Sequence, residues 1–213
     1  MKKNIFISGT GTDVGKTFIA LELISVISSL GLKVGVMKPI ETGVKDIPED
    51  ANKLFKMAKK YNPALIDLHL EDICPISFAL AAAPDVARSG LPIDFDLLQE
   101  CHDNIAKKCD IMIIEGAGGL LTPVEKKYFM LNLAEMFNAR TLLVSSAKLG
   151  CINEILLNEK ILKFGRQDFQ IAINKREEDV DFEKTSLPYL KNHMKDIFVL
   201  PDDINLLAKK LIE

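Results

Sequence analysis

Ser8-Gly9-Thr10-Gly11-Thr12-Asp13-Val14-Gly15-Lys16-Thr17 joins an apolar strand, Asn4 to Ile7, to a helical run that begins near Phe18. A turn this rich in glycine lets consecutive backbone N–H groups converge on an anion at a helix N-terminus, where aligned peptide dipoles already favour negative charge. Lys16 adds a mobile positive charge. In a P-loop the lysine reaches the terminal phosphates of a nucleotide, and the hydroxyl that follows, here Thr17, ligates Mg²⁺. Five residues separate Gly9 from Gly15, one more than in the common template. The dinucleotide fingerprint fits less well, because Val14 stands where its third glycine belongs. Glycine-rich turns also join strands to helices with no ligand, but Gly15-Lys16-Thr17 at such a junction favours a phosphate cradle.

Working outward, apolar runs of strand length alternate with segments of helical periodicity. Strands are expected at Ile5 to Ile7, Lys33 to Lys38, Ile111 to Glu115, Thr141 to Ser145, Gln170 to Ile173 and Ile197 to Leu200. Helices are expected at Thr17 to Leu30, Asp50 to Tyr61, Phe95 to Lys107, Ile152 to Phe164, Phe182 to Lys191 and Asp203 to Ile212. Continuous apolar strands such as Ile111-Met112-Ile113-Ile114 suit a sheet covered on both faces. The expected fold is therefore α/β, P-loop NTPase-like, with a mostly parallel central sheet and helices on both faces, as a single domain over residues 1–213. Leu70 to Pro92 is the least readable part and is expected to form a lid or subunit contact. Lys175 to Asp181 reads as a solvated charged loop.

The chain of 213 residues carries a formal charge of −3, which gives no argument for nucleic acid or an anionic membrane as partner. Met1-Lys2-Lys3 leads straight into a strand and no apolar run approaches membrane-spanning length, so a cytoplasmic location is expected. Cys74, Cys101, Cys109 and Cys151 lack metal-site spacing and are expected to be reduced thiols.

Ligands in parallel sheets bind beyond the carboxyl ends of the strands. Three loops follow three strands at that edge: the glycine-rich loop, Lys38-Pro39-Ile40-Glu41-Thr42-Gly43, and Glu115-Gly116-Ala117-Gly118-Gly119. Glu115 ends a hydrophobic strand where packing gives a carboxylate little reason to be, and a Mg²⁺ ligand opposite Thr17 is the functional reading. Lys38 follows an apolar strand and precedes a proline, so its cation can stabilise charge on a transferring phosphoryl group. Asp50, after Pro48, reads as an ordinary helix-start acid.

These motifs, together with Lys148-Leu149-Gly150-Cys151-Ile152-Asn153, give a chain that resembles the dethiobiotin synthetases, ATP-dependent ring-closing enzymes of biotin biosynthesis. The resemblance implies a homodimer acting on 7,8-diaminopelargonic acid, CO₂ and Mg-ATP. It implies that Thr17, Asp50 and Glu115 bind Mg²⁺, which makes Asp50 a ligand rather than a cap. Lys16 and Lys38 would neutralise carbamate and γ-phosphate, with Thr12 beside them in the catalytic group. Gly11, Thr12, Asp13, Val14, Gly15, Lys16, Thr17 and Glu115 would surround the nucleotide phosphates, and Asn174 would read the adenine base. Thr12, Lys38, Thr42 and Gly118 would line the diamine site, while Cys151 and Asn153 would approach the substrate carboxylate from the neighbouring subunit. Lys175-Arg176-Glu177-Glu178 departs from the family's base-binding pattern, which implies relaxed base selectivity. The alternative is a ParA- or MinD-like ATPase switch. Such switches carry an extra lysine early in the loop, where this chain has Gly9, Thr10 and Gly11.

Overall fold

The structure, a computed structural model, describes residues 4–194 and 196–213, so the expected lead-in Met1-Lys2-Lys3 lies outside the described residues. The first half of the chain forms β1 (Asn4–Gly9), α1 (Lys16–Ser29), β2 (Val34–Met37), β3 (Ile40–Thr42), α2 (Glu49–Tyr61), α3 (Leu70–Ile73), β4 (Ile76–Phe78), α4 (Pro84–Ala87) and α5 (Phe95–Ala106). The second half forms β5 (Ile111–Gly119), β6 (Pro123–Glu125), β7 (Tyr128–Phe129), α6 (Met130–Met136), β8 (Arg140–Ser146), α7 (Cys151–Phe164), β9 (Phe169–Asn174), α8 (Phe182–Thr185), α9 (Leu187–His193), β10 (Ile197–Leu200) and α10 (Ile204–Ile212).

Six strands make one sheet in the order β10-β9-β8-β1-β5-β2, and every adjacent pair is parallel. Ile5, Phe6 and Ile7 of β1, Ile113 and Ile114 of β5 and Leu142, Leu143 and Val144 of β8 are all fully buried. Alternation is lost because helices cover both faces, as the continuous apolar runs require. The larger core gathers α1, α2, α5, α6 and α10, and a smaller one lies under α7, α8 and α9. Among the described residues no helix is long and apolar enough to cross a membrane.

Four local readings change. β5 does not stop at Glu115 but continues to Gly119, with its pairing to β1 shifting between Ile7↔Glu115 and Gly9↔Gly119. A side chain at Gly119 would sit 3.0 Å from the Gly9 carbonyl oxygen, so a bare backbone is what lets the two strand ends run together. The helix expected over Phe182 to Lys191 is two short helices, parted at Ser186 where Pro188 removes a backbone donor. The seven-residue α6 is too short to announce itself by periodicity. The unreadable Leu70 to Pro92 segment contributes β4, which pairs in parallel with β3, and α4.

Candidate active site

The strand register brings the three loops to one edge. Ile7 lies beside Glu115 across β1 and β5, and Met37 lies beside Ile114 across β5 and β2. Glu115, Lys38 and the last residues of β1 before the glycine-rich loop therefore stand at one level of the sheet. The loop enters α1 through Gly15, whose φ of 99° is left-handed and whose missing side chain would fall 2.1 Å from Asn174 Nδ2. Asn174 ends β9, is buried, and donates from Nδ2 to the Val14 carbonyl at 3.0 Å. Lys16 donates to the Gly11 carbonyl at 3.1 Å.

Glu115 is only 1% exposed. Its Oε1 accepts from Thr17 Oγ1 at 2.9 Å and from Lys38 Nζ at 2.5 Å. Lys38 Nζ also lies 3.5 Å from Asp50 Oδ2 and 3.4 Å from the Gly116 carbonyl. Burial by itself would push the Lys38 pKa down, but Glu115 and Asp50, with the Glu115 hydrogen bond and a contribution from Glu41, hold it above the ordinary lysine value. Lys16 goes the other way. Burial, then repulsion from Lys38, lowers its pKa despite the attraction of Glu115, Asp50 and Asp13.

Thr12, Asp13, Gly15, Lys16, Thr17, Lys38, Thr42, Asp50, Glu115 and Gly118 line one cavity of about 390 Å³. A second cavity of about 410 Å³ shares Thr12, Thr42, Ala117 and Gly118 with the first. Its remaining walls are Thr122 and the small side chains Ala81, Ala82, Ala83 and Pro84 from the Leu70 to Pro92 segment. Gly11 and Val14 belong to the loop itself and hold its shape through their carbonyls. Asn174 stands behind the loop. Cys151 and Asn153 lie on the first turn of α7 and do not face this cavity. The Cys151 thiol is buried, which raises its pKa, and it bonds toward Ser186.

Glu41, Arg176, Ala117 and Phe18 also line the first cavity, and sequence reasoning gave them no role. Arg176 is no bystander of a solvated loop, since its Nη2 donates to the Asp13 carbonyl at 2.5 Å. Glu41 had one readable signal, an acid in a short strand three residues after Lys38.

The donor set suits Mg²⁺. Glu115 Oε2 is buried with no hydrogen-bond partner, and a buried acceptor left orphaned is costly unless something occupies it. Mg²⁺ takes one or two carboxylates beside phosphate oxygens and water, rather than a full protein cage. Among the described residues no group of three or more His, Cys, Asp or Glu side chains could form such a cage.

A parallel sheet whose first strand feeds a glycine-rich loop and a lysine, with a carboxylate at the end of the adjoining strand, defines a P-loop nucleotide-binding protein. A family model described as an AAA domain matches residues 3–197. The chain is 40% identical over 186 residues to the ATP-dependent dethiobiotin synthetase of Sulfurovum sp., covering 87% of this chain and 89% of that one. It is 38% identical to the enzyme of the same name from Wolinella succinogenes, covering 99% and 98% of the two chains. Among solved structures, a plasmid partition protein from Borrelia burgdorferi superposes with a TM-score of 0.59 at 14% identity, covering 99% of this chain and 96% of that one. The MinD cell division protein of Aquifex aeolicus gives 0.54 at 15% identity, covering 99% and 93%. At that identity these two likenesses speak for the fold alone. The chain belongs to the ATP-dependent dethiobiotin synthetase family.

Proposed function

We propose that the chain closes the cyclic urea of dethiobiotin from 7,8-diaminopelargonic acid and CO₂ at the expense of ATP. The observation that carries this reading is the pair of lysines, Lys16 and Lys38, facing one cavity that shares Thr12, Thr42, Ala117 and Gly118 with a second cavity lined by small side chains. A P-loop alone would need only the first lysine and the first cavity.

In the proposed reaction one substrate amine takes up CO₂ as a carbamate and releases a proton. A carbamate oxygen attacks the γ-phosphorus and ADP leaves. The second amine attacks the carbonyl carbon of the carbamic-phosphoric anhydride, and phosphate leaves as the ring closes. Carbamate formation and ring closure each release a proton from an amine, while phosphoryl transfer moves negative charge between oxygens and needs positioning and neutralisation more than a tuned general base. Lys38 remains protonated because its surroundings raise its pKa, which suits it to the carbamate and transferring phosphoryl oxygens. Lys16, whose proton is held less tightly in the free protein, would hold it more tightly once phosphates approach. Thr17, Glu115 and Asp50 would hold Mg²⁺, which when bound neutralises phosphate charge and orients the terminal phosphates. Thr12, Thr42 and Gly118 border both cavities and would hold the diamine between them. The wall of Ala81, Ala82 and Ala83 would keep water from the anhydride. Asn174 donates one amide N–H to the loop, which leaves Oδ1 and the second N–H as the groups that would meet a base.

The reading includes a homodimer. Leu149, Leu157 and Phe164 on and beside α7 are exposed apolar side chains, an arrangement that a second copy would cover. The first turn of α7, with Cys151 and Asn153, would then face the neighbouring subunit's diamine. With the Cys151 thiol turned inward, backbone is what that residue would offer. Small metabolites, ATP and cysteines outside any disulfide suit the cytoplasm.

Incubation with diaminopelargonate, ¹³C-bicarbonate and Mg-ATP, followed by mass spectrometry, tests the assignment. The expected product is a cyclic urea bearing the label, formed one-for-one with ADP. Folded protein that releases ADP without the urea would overturn it.

A further inference from the structure

Glu41 sits in β3, three residues after Lys38, and is 7% exposed. Its carboxylate is committed to two backbone amides: Oε1 accepts from Asp50 N at 3.1 Å and Oε2 from Ala51 N at 3.0 Å. Those are the second and third residues of α2, the positions whose amides an N-terminal capping side chain normally satisfies. The residue that precedes α2 is Pro48, which makes no side-chain cap. Glu41 performs that task from another strand, and a carboxylate is well matched to the positive end of the helix.

The consequence reaches the site. Asp50 has its amide fixed by Glu41 and its carboxylate 3.5 Å from Lys38 Nζ, while Lys38 and Glu41 are anchored on adjoining stretches of the same chain. Lys38, Glu41 and Asp50 thus close a ring in which the distance between the buried cation and the helix-borne acid is set by Glu41. A helix start could be capped from its own preceding residues at no cost in buried charge. Burying a carboxylate for it carries a desolvation cost, which the two amide hydrogen bonds offset only while the first turn of α2 is held against Glu41.

We infer that Glu41 is a positioning residue that aims Asp50 at the metal and phosphoryl site by clamping the first turn of α2. This rests on the assignment of Asp50 to Mg²⁺ made above. Groups that hold a metal ligand in place change metal affinity or activity by about 10–100-fold when removed.

The test compares E41A, E41Q and D50N in the full chain. ATP binding is measured by calorimetry in EDTA and across a Mg²⁺ titration, and the Asp50 and Ala51 amides are followed by hydrogen exchange in the nucleotide-free protein. For E41A the Mg²⁺ concentration at half effect should rise about tenfold or more, as it should for D50N, with each shift read against that variant's own ATP affinity in EDTA. Both amides should exchange faster in E41A. E41Q, with one acceptor oxygen for two donors and an NH₂ pressed against the other, should fall between the parent and E41A. A general loss of fold would instead weaken ATP binding equally with and without Mg²⁺, and that result counts against the proposal. An E41A titration that overlays the parent while D50N is displaced removes Glu41 alone. A D50N titration that overlays the parent removes the assignment of Asp50, and the proposal with it. Should E41A not fold, an E41Q titration that overlays the parent is equally decisive against it.

Discussion

Replacing Lys38 with methionine keeps most of the aliphatic stem and deletes the charge, which isolates what the charge contributes. The Lys38 and Glu115 groups stand 2.5 Å apart with Lys38 3% and Glu115 1% exposed. At an effective dielectric constant of about 20 their attraction is about 6–7 kcal/mol, offset by the cost of burying both ions. Removing one partner leaves the other charge uncompensated, a loss of about 3–5 kcal/mol. For a chain of this length about 2–4 °C is lost per kcal/mol, so K38M should melt about 6–20 °C below the parent in differential scanning calorimetry. Removing both charges should be far milder. The K38M/E115Q double variant should therefore melt above K38M, although each substitution deletes a polar group. The folded state holds the Lys38 proton more tightly than the unfolded chain does. Its stabilisation is thus fully present below the ordinary lysine range and is lost only as pH rises through the higher folded value. The contribution of the Lys38 proton to the parent's stability should accordingly be constant across neutral pH. A K38M protein melting within about 2 °C of the parent, or a double variant melting as low as K38M, would refute the reasoning. In turnover, K38M should lose about 10²–10³ in kcat, the scale for deleting one charge-stabilising donor, while still binding ATP.

Other outcomes are as specific. Lys16→Ala should abolish turnover with the fold intact by circular dichroism. Because the Lys16 pKa is lowered, ATP affinity of the parent should begin to fall below the ordinary lysine range, and calorimetry showing flat affinity through that range would contradict the assignment. Steady-state rates with GTP and CTP should be similar to those with ATP, given Arg176 in place of the family's base-binding pattern; a steep preference for ATP would count against this. Leu157→Glu, on the exposed face of α7, should shift the species seen by sedimentation equilibrium from dimer to monomer, and an unchanged dimer would remove this face from the interface.

The fold was legible where one physical rule dominated. The glycine-rich turn with Lys16 and Thr17, and the uninterrupted apolar runs of β1, β5 and β8, each admit few readings, and together they specify a covered parallel sheet. The meeting of Lys38 with Glu115 followed from the rule that loops after parallel strands share an edge, and the register supplies the detail. What stayed hidden depends on contacts between distant segments. Asp50 looks like a helix-start acid because locally it is one; its distance to Lys38 is set in three dimensions through Glu41. Arg176 looked solvated because nothing local reveals that its guanidinium folds back on Asp13. The Ala81 to Pro84 wall has neither periodicity nor charge, and it takes its place because β4, just before it, pairs with β3.

The most direct measurement follows oxygen. In a single turnover with ¹⁸O-labelled CO₂, quenched before exchange with water, the account predicts that the released phosphate carries an oxygen from CO₂, because a carbamate oxygen bonds to the γ-phosphorus and stays with it. Phosphate free of label, formed together with the cyclic urea, would contradict it.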